Sequence, residues 1–335
     1  MQNQTVSKSA AACPGPRIAA IVCTHNRAWH LARALDSLRA QTLAPAAFEV
    51  VVVDNGSTDD TRDVIARGIA GASNMRSVFE PVLGLSRARN TGWRQAQAPL
   101  IAYLDDDAVA GPDWLERLLR AFADPRAGVV GGRILGDWEV PRPAWLARQL
   151  LPSLTVIDWG ERPFTVRPPC FVAGANIAFR REHLERLDGF SEHLGRKGGL
   201  LLSAEEREMT RRIEALGFET RYEPAACVRH WVGRERLTQA WFLERAHWQG
   251  VSEALAEMDG RTLPQAEREA RARRRLFARQ VLKNRLLALL GNRSRPRLFV
   301  AHVDIARARA YAETLRRGAA PAEAVAPEPA PALGR

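Results

Sequence analysis

Three consecutive aspartates, Asp105, Asp106 and Asp107, close the apolar run Ile101-Ala-Tyr-Leu104, and Gly111-Pro112 breaks the backbone shortly afterwards. A buried strand ending in this way would concentrate negative charge at one sheet edge. A hard cation neutralises such a cluster, and carboxylates completed by water and substrate phosphates suit Mg2+ or Mn2+. Taken alone, the triplet also reads as a solvated acidic turn capping the next helix. Three further clusters carry chemistry. Cys23-Thr-His-Asn-Arg27 is polar and abrupt after an apolar run. Val53-Asp-Asn-Gly-Ser-Thr-Asp-Asp60 leaves Asp54 placed to accept a hydrogen bond from a base or ribose, although Asp-Asn-Gly-Ser is also a generic turn. Gly84-Leu-Ser-Arg-Ala-Arg-Asn90 offers Arg87 and Arg89 to a diphosphate, or simply to solvent. His25 could equally cap a helix or line the core.

The elements that must hold these residues alternate through the first half. Arg17 to Cys23 reads as a strand, Ala28 to Gln41 as a helix with Leu31, Leu35 and Leu38 on one face, and Phe48 to Val53 as a strand buried on both faces. Asp59 to Ile69 is helical, Arg76 to Phe79 extended, Leu85 to Gln97 helical and Leu100 to Leu104 the acid-tipped strand. Asp113 to Leu119 restarts as a helix. Strands separated by helices in this way predict an α/β fold with a mostly parallel sheet and right-handed crossovers. Ligands of such sheets gather at the strand C-termini, where all four clusters fall. Gly128 to Leu135 adds a strand. Pro141 to Pro169, with prolines also at 143, 152, 163 and 168, is an irregular excursion of the kind that tends to be functional. Order returns at Phe171 to Phe179, followed by helices Arg181 to Leu187 and Ala204 to Leu216. Thr220 to Tyr222 is a brief strand before Pro224. Leu237 to Arg317 reads as mainly helical.

Composition bounds the rest. The chain has 335 residues and four cysteines, Cys13, Cys23, Cys170 and Cys227, without metal-ligand spacing, which read as buried thiols in a reducing compartment. No run approaches the roughly 18 apolar residues of a membrane span, and Met1 to Pro16 lacks the apolar core of a secretory signal. Cytoplasmic residence is the expectation. The formal charge is +11, and Arg261 to Arg297 alone carries twelve Lys/Arg against Glu267 and Glu269, a local +10. Outside that segment the chain is nearly neutral.

The order Cys-Thr-His-Asn-Arg, Val-Val-Asp-Asn-Gly-Ser-Thr-Asp, Gly-Leu-Ser-Arg-Ala-Arg-Asn-Thr-Gly and Leu-Asp-Asp-Asp resembles the family 2 glycosyltransferases from about Arg17 to Trp231. The resemblance implies the GT-A fold, a Rossmann-like mixed, mostly parallel sheet flanked by helices, and metal-dependent use of a nucleotide-sugar. It implies that Thr24, Asn26 and Arg27 lie near the base, that Asp54 contacts uracil or its equivalent, and that Asp105 and Asp106 lie on the nucleotide side of the acidic motif. Asp107 is then the metal ligand, and His230 resembles the histidine that completes the coordination. Gly174-Ala-Asn176 resembles the acceptor-side loop, and Asp188-Gly-Phe190 a Gly-Gly-Phe turn with one Gly replaced. Ser203-Ala-Glu-Glu-Arg-Glu208 falls where the family has Gly-Glu-Asp-x-Glu, which makes Glu206 the catalytic base and Glu205 the second candidate. The same acids would also complement a helix dipole as ordinary first-turn residues. Upstream, Leu194 to Gly199 is a Gly-rich loop from which Arg196 and Lys197 could close over the diphosphate, or an ordinary connection.

The expectation is a disordered 1–16, a GT-A catalytic domain over 17–235, a helical extension over 236–317 and a disordered tail over 318–335. The implied reaction moves a sugar, with a UDP-sugar as the favoured donor, to a saccharide or lipid-linked saccharide with inversion, in bacterial polysaccharide assembly. Trp241, Phe242 and Trp248, then Leu276, Phe277, Val281, Leu282, Leu286, Leu287 and Leu290, recur at helical spacing among arginines. That stripe packs against the catalytic domain or a second subunit, or else 261–297 lies on an anionic membrane surface at the inner face; packing is favoured. A nucleotidyltransferase would show a Gly-rich phosphate loop where Thr24-His-Asn-Arg27 stands. A nucleic-acid-binding protein would leave the acidic edge unexplained, so no nucleic acid is expected as a partner.

Overall fold

The computed structural model describes residues 15–197, 200–258 and 295–317. Four strands form the parallel half of one sheet: β1 (Ile18–Thr24), β2 (Phe48–Asp54), β3 (Met75–Phe79) and β4 (Leu100–Leu104). Helices α1 (Ala28–Arg39), α2 (Thr61–Ile69) and α3 (Leu85–Gln95) connect them. After β4 come β5 (Ala108–Ala110), α4 (Trp114–Ala121), β6 (Ala127–Trp138), β7 (Phe164–Thr165), β8 (Asn176–Arg180), α5 (Arg181–Arg186), α6 (Glu205–Ala215) and β9 (Glu219–Val232). The strand order is β3-β2-β1-β4-β8-β6-β9-β5, with β7 on β9; β8 runs antiparallel to both neighbours, and β6 and β9 are parallel. This mixed, mostly parallel α/β sheet is the expected one.

The continuous apolar strands make sense because both faces are covered. Ile18, Ala20 and Val22 point into a core with Leu31, Leu35 and Leu38 of α1 and Trp114 of α4. Ala19 and Ile21 point the other way, toward Trp93 of α3 and Met209 and Ile213 of α6. Glu49 is a buried acid near the start of β2. It is tolerated because its carboxylate accepts from the backbone N–H groups of Gln97 and Ala98 at 2.6 and 2.7 Å and pairs with Arg76 at 2.8 Å.

β9 departs from the expected brief strand. It runs for 14 residues, and its pairing with β6 jumps from Glu223 opposite Gly132 to Val228 opposite Ile134. Pro224 lies in this wide bulge, where the ladder asks for no N–H. The three-residue β5 also escapes the sequence reading; it pairs with β9.

Beyond β9, α7 (Gln239–Met258) and α8 (Arg295–Arg317) pack on each other and on the 141–169 excursion. Trp145 meets Phe242 and Phe299 edge-on at 5.7 and 5.2 Å. A Cβ at Gly250 would stand 2.2 Å from the carbonyl oxygen of Arg307, so the two backbones touch there. Arg307 clamps Glu253, and Tyr311 donates to Glu257. Phe242 and Trp248 are buried, as a packing stripe requires. The stripe from Leu276 to Leu290, the tail after Gly318, Cys13 and most of the basic segment lie outside the described residues. Cys23, Cys170 and Cys227 are free thiols. Among the described residues, no helix is long and apolar enough to cross a membrane.

Candidate active site

The acidic triplet leaves the end of β4 and turns at once into β5, closed by the Ala108 N–H on the Asp105 carbonyl at 3.0 Å. β5 pairs with β9, which sets Ala108 opposite His230. His230 Nε2 lies 3.1 Å from Asp107 Oδ1, while Asp107 Oδ2 accepts from Arg27 at 3.2 Å and from Arg236 at 3.3 Å. Ligand atoms of Asp105, Asp107 and His230 all lie within 4.8 Å of one another, so the three can converge on one cation. His230 Nδ1 is buried without a partner. Burial opposes ionisation of Asp107, but His230, Arg236 and Arg27 outweigh it and hold the carboxyl well below the usual range. Asp106 behaves oppositely: burial and the charge of Asp107 push it up to about 7. Burial also raises Asp105 despite Arg89.

Two loops beside this edge are stitched together. Asn26 adopts φ +53°, its carboxamide oxygen accepts from the Thr58 and Asp59 N–H groups at 2.7 and 3.3 Å, and its own N–H donates to Ser57. Asp54 accepts from the Ser57 N–H at 2.8 Å and from Arg62 at 3.0 Å. Both residues thus shape the β1 and β2 loops; the Asp54 carboxylate has lone pairs to spare, whereas the Asn26 oxygen is fully used. Thr24 Oγ1 is buried with no partner. His25 is exposed and tied to the Asn55 carbonyl at 2.8 Å.

The two arginines expected to face a diphosphate both have carboxylate partners. Arg87 pairs with Glu192 at 2.8 Å on the surface. Arg89 is buried: it lies 2.6 Å from Glu205 and 3.6 Å from Asp105, over the rings of Tyr103 and Phe190. The reason is local sequence. Arg89 lies one helical turn from Leu85, on the face of α3 that presents Ala88 and Trp93 to the sheet. Gly174 makes room for it, because a Cβ there would meet the guanidinium at 2.3 Å. Gly174 is therefore part of the Arg89 pocket.

Glu205 and Glu206 open α6, after Ala204 in a left-handed conformation at φ +80°. Burial first, then the charge of Glu206, lifts Glu205 to about 7 against the pull of Arg89. Glu206 is half-buried, and its Oε2 is shielded with no hydrogen-bond partner. Glu205 Oε1 is held by Arg89, and Glu205 Oε2, like Glu206 Oε2, is buried with no hydrogen-bond partner; among the described residues Glu206 makes no ion pair.

Asn176 serves the fold instead of facing an acceptor. Its Nδ2 donates to the carbonyls of Arg133 and Ala226 at 3.0 and 2.7 Å, the two left unpaired by the bulge, and its Oδ1 accepts from Trp114 at 2.8 Å. Arg196 is exposed on the loop over Glu205, which is anchored by its carbonyl accepting from the Leu85 N–H at 2.9 Å. Two arginines that the sequence reading passed over also reach the site, Arg236 and Arg245. Arg245 could have been noticed, since it stands four residues after Trp241 and three before Trp248, on an otherwise apolar stripe.

The chain is similar to known proteins in sequence and in fold. The model of the glycosyl transferase family 2 aligns with residues 19–188. A glucosyl-dolichyl phosphate glucuronosyltransferase of Haloferax volcanii is 28% identical over 255 residues, covering 72% of this chain and 78% of its own. A validoxylamine A glucosyltransferase of Streptomyces hygroscopicus subsp. jinggangensis is 34% identical over 60% of this chain, which spans about half of that relative's length (52%). A mannosyltransferase from Pyrobaculum calidifontis, solved in complex with GDP-Man and Mn2+, superposes with a TM-score of 0.62 at 24% identity, covering 92% of this chain and 90% of its own. The likeness to the solved structure is one of fold, and that fold is GT-A.

Proposed function

The chain belongs to the glycosyl transferase family 2, and from that premise we propose that it moves a sugar from a nucleotide-sugar to a hydroxyl of a saccharide or lipid-linked saccharide, with inversion. A UDP-sugar is the first donor to test, and bacterial polysaccharide or glycan biosynthesis is the setting we infer. The observation that carries the reading is the pairing of two unlike carboxylate groups through one buried guanidinium: Arg89 joins Asp105 of the acidic edge to Glu205 of α6. One group suits a cation, and the other suits a proton.

A divalent cation held by Asp107 and His230, with Asp105 beside them, would supply electrophilic stabilisation to the departing diphosphate. Arg27 and Arg236, at 3.2 and 3.3 Å, favour the ionised form of Asp107, as a ligand requires. Arg27 also brings positive charge to the side from which the nucleotide enters, at the mouth of the β1 loop. Asp54, Thr24 and Asn26 would receive the base and ribose. On the opposite side, Glu206 accepts the proton of the acceptor hydroxyl while that oxygen bonds to the anomeric carbon and the bond to the diphosphate breaks. Glu205 holds the helix end in place through Arg89 and acts as a positioning residue.

A transfer assay separates these roles. Glu206→Gln is expected to lower kcat by about 100-fold or more while leaving nucleoside diphosphate affinity unchanged. Retention of near-normal kcat by this variant, together with a collapse in Glu205→Gln, would move the base assignment to Glu205.

A further inference from the structure

Beside Arg89, which is paired with Glu205, three more arginines stand near this end of the sheet: Arg236, paired with Asp107 at 3.3 Å and with Glu235 at 3.7 Å, Arg196 and Arg245. Among the described residues Arg196 and Arg245 make no ion pair. Arg245 reaches from α7 to the start of α6, where its Nη2 donates to Ser203 Oγ at 3.3 Å. Ser203 is itself fastened to α7, with Oγ bonded to Gln249 at 3.2 Å and its N–H to Ser252 at 2.9 Å. The guanidinium is therefore held in place, not free to swing out to water. Its Nη1 is buried with no acceptor, just as Glu206 Oε2 is buried with no partner.

A guanidinium nitrogen buried with no acceptor, on a half-buried arginine with no ion pair among the described residues, leaves an unmet demand for an anion. Burial, and next the neighbouring charge of Arg196, draw Arg245 down to about 10. The carboxylates nearest to it electrically are Glu206, Glu205 and Glu253, whereas those around Arg196 include Asp105 and Asp107. Arg245 is bonded to Ser203, three residues before Glu206, and so lies beside the start of α6, while Arg196 is on the loop that rests on α3 and α6. The loop carrying Arg196 lies directly on α6, since a Cβ at Gly195 would come within 3.3 Å of the Glu205 carboxyl carbon.

We propose that Arg245, assisted by Arg196, forms an anion subsite for the acceptor, so that the accepting glycan carries a phosphate or a carboxylate close to the hydroxyl presented to Glu206. This deepens the glycosyltransferase reading and rests on it. The shared chemistry is an anionic oxygen group that takes charge-assisted hydrogen bonds from Nη1. A sugar phosphate, as on a phosphate-linked carrier, and a uronic acid are its two sources. The helical extension is then part of the acceptor site, which explains why an arginine interrupts its apolar stripe.

The test is sequential calorimetry on the full chain. UDP and GDP are titrated first with Mn2+ present. Glucose 1-phosphate, methyl glucuronide, neutral methyl glucoside and inorganic phosphate are then titrated onto the nucleotide complex. In the wild type, an anionic probe should bind about 10-fold or more tightly than methyl glucoside. Arg245→Met should erase that preference, Arg245→Lys should keep part of it, and neither should shift nucleotide affinity by more than about 2-fold. Preference for the phosphates assigns the phosphate source, and preference for the glucuronide the carboxylate source. The proposal is overturned if no anion, inorganic phosphate included, is preferred by the wild type, or if the preference survives in Arg245→Met. A fall in nucleotide affinity matching the loss of anion affinity would also overturn it, by returning Arg245 to the donor site. Failure of any nucleotide to bind in the first titration sinks the proposed function and the subsite with it, so the two failures are distinct.

Discussion

Arg89 shows how much one side chain decides here. Its sequence neighbourhood, Ser-Arg-Ala-Arg-Asn, suggests an arginine offered to phosphate, yet the side chain is 3% exposed and bound between Glu205 and Asp105. Removing one partner of such a buried pair leaves an uncompensated charge where Glu205 is ionised, so at pH 8 Arg89→Met should destabilise the fold by about 3–5 kcal/mol, measured by urea unfolding. A loss below about 1 kcal/mol would mean that Glu205 is neutral in the fold and needs no partner. The same carboxyl gives stability a pH dependence. Its folded value, about 7, lies above its ordinary value of 4.5, so the fold binds more protons than the unfolded chain between them. This contribution is present below the ordinary carboxylate range and is lost as pH rises toward about 7. Over pH 5 to 8 this carboxyl lowers the unfolding free energy as pH rises, against the opposite contribution of His30, His183 and His247, which burial holds below the ordinary histidine value. Its share is therefore read by comparing slopes between wild type and variant. Glu205→Gln should make the slope less negative, while Asp106, also lifted to about 7, still acts in the direction of Glu205. An unchanged slope in the variant would remove Glu205 from the account.

At the scale of elements, the β6–β9 bulge does most to position the site. It lets β9 continue past Pro224 and deliver His230 opposite Ala108, next to the aspartates. Asn176 fills the bulge, and Asn176→Ala would strand two carbonyls and the Trp114 N–H. The expected cost is about 2–4 kcal/mol in chemical denaturation, with nucleotide affinity preserved in the folded fraction. A stable variant that had lost nucleotide or acceptor binding would restore Asn176 to the ligand side. Neither the bulge nor the role of Asn176 was legible in the sequence, because a proline inside an apolar run reads as the end of a strand. β1, β2 and β4 were legible because strands covered on both faces have uninterrupted apolar sequences. The contact of α7 with α8 is a backbone approach at Gly250, invisible without the partner helix. Gly250→Val should force the pair apart at a cost of about 1–3 kcal/mol and raise amide exchange across α7, read by mass spectrometry. Protection equal to the wild type would contradict the close approach.

Over the whole molecule, the four sequence clusters and the α6 acids do converge on one end of the sheet, but they divide into two kinds. Asp105, Asp107 and His230 keep donor atoms that can turn to one centre, and Glu206 keeps a shielded oxygen with no partner. Arg89, Asn176 and much of Asn26 are committed to holding loops and strands in register. Residue type and spacing announce where a site is. They say less about which members touch ligand, because that depends on competition for each side chain by backbone groups far away in sequence. Arg236 and Arg245 illustrate the converse, since they reach the site from beyond its motifs.

The central claim is that this acidic edge is a cation-dependent donor site. The most direct measurement is calorimetric titration of UDP and GDP, with and without Mn2+, into the wild type and Asp107→Asn. The account predicts binding of a nucleoside diphosphate in the presence of Mn2+, weakened by at least about 10-fold without the cation and equally in the variant. Equal affinity with and without Mn2+, or wild-type affinity in Asp107→Asn, would contradict it.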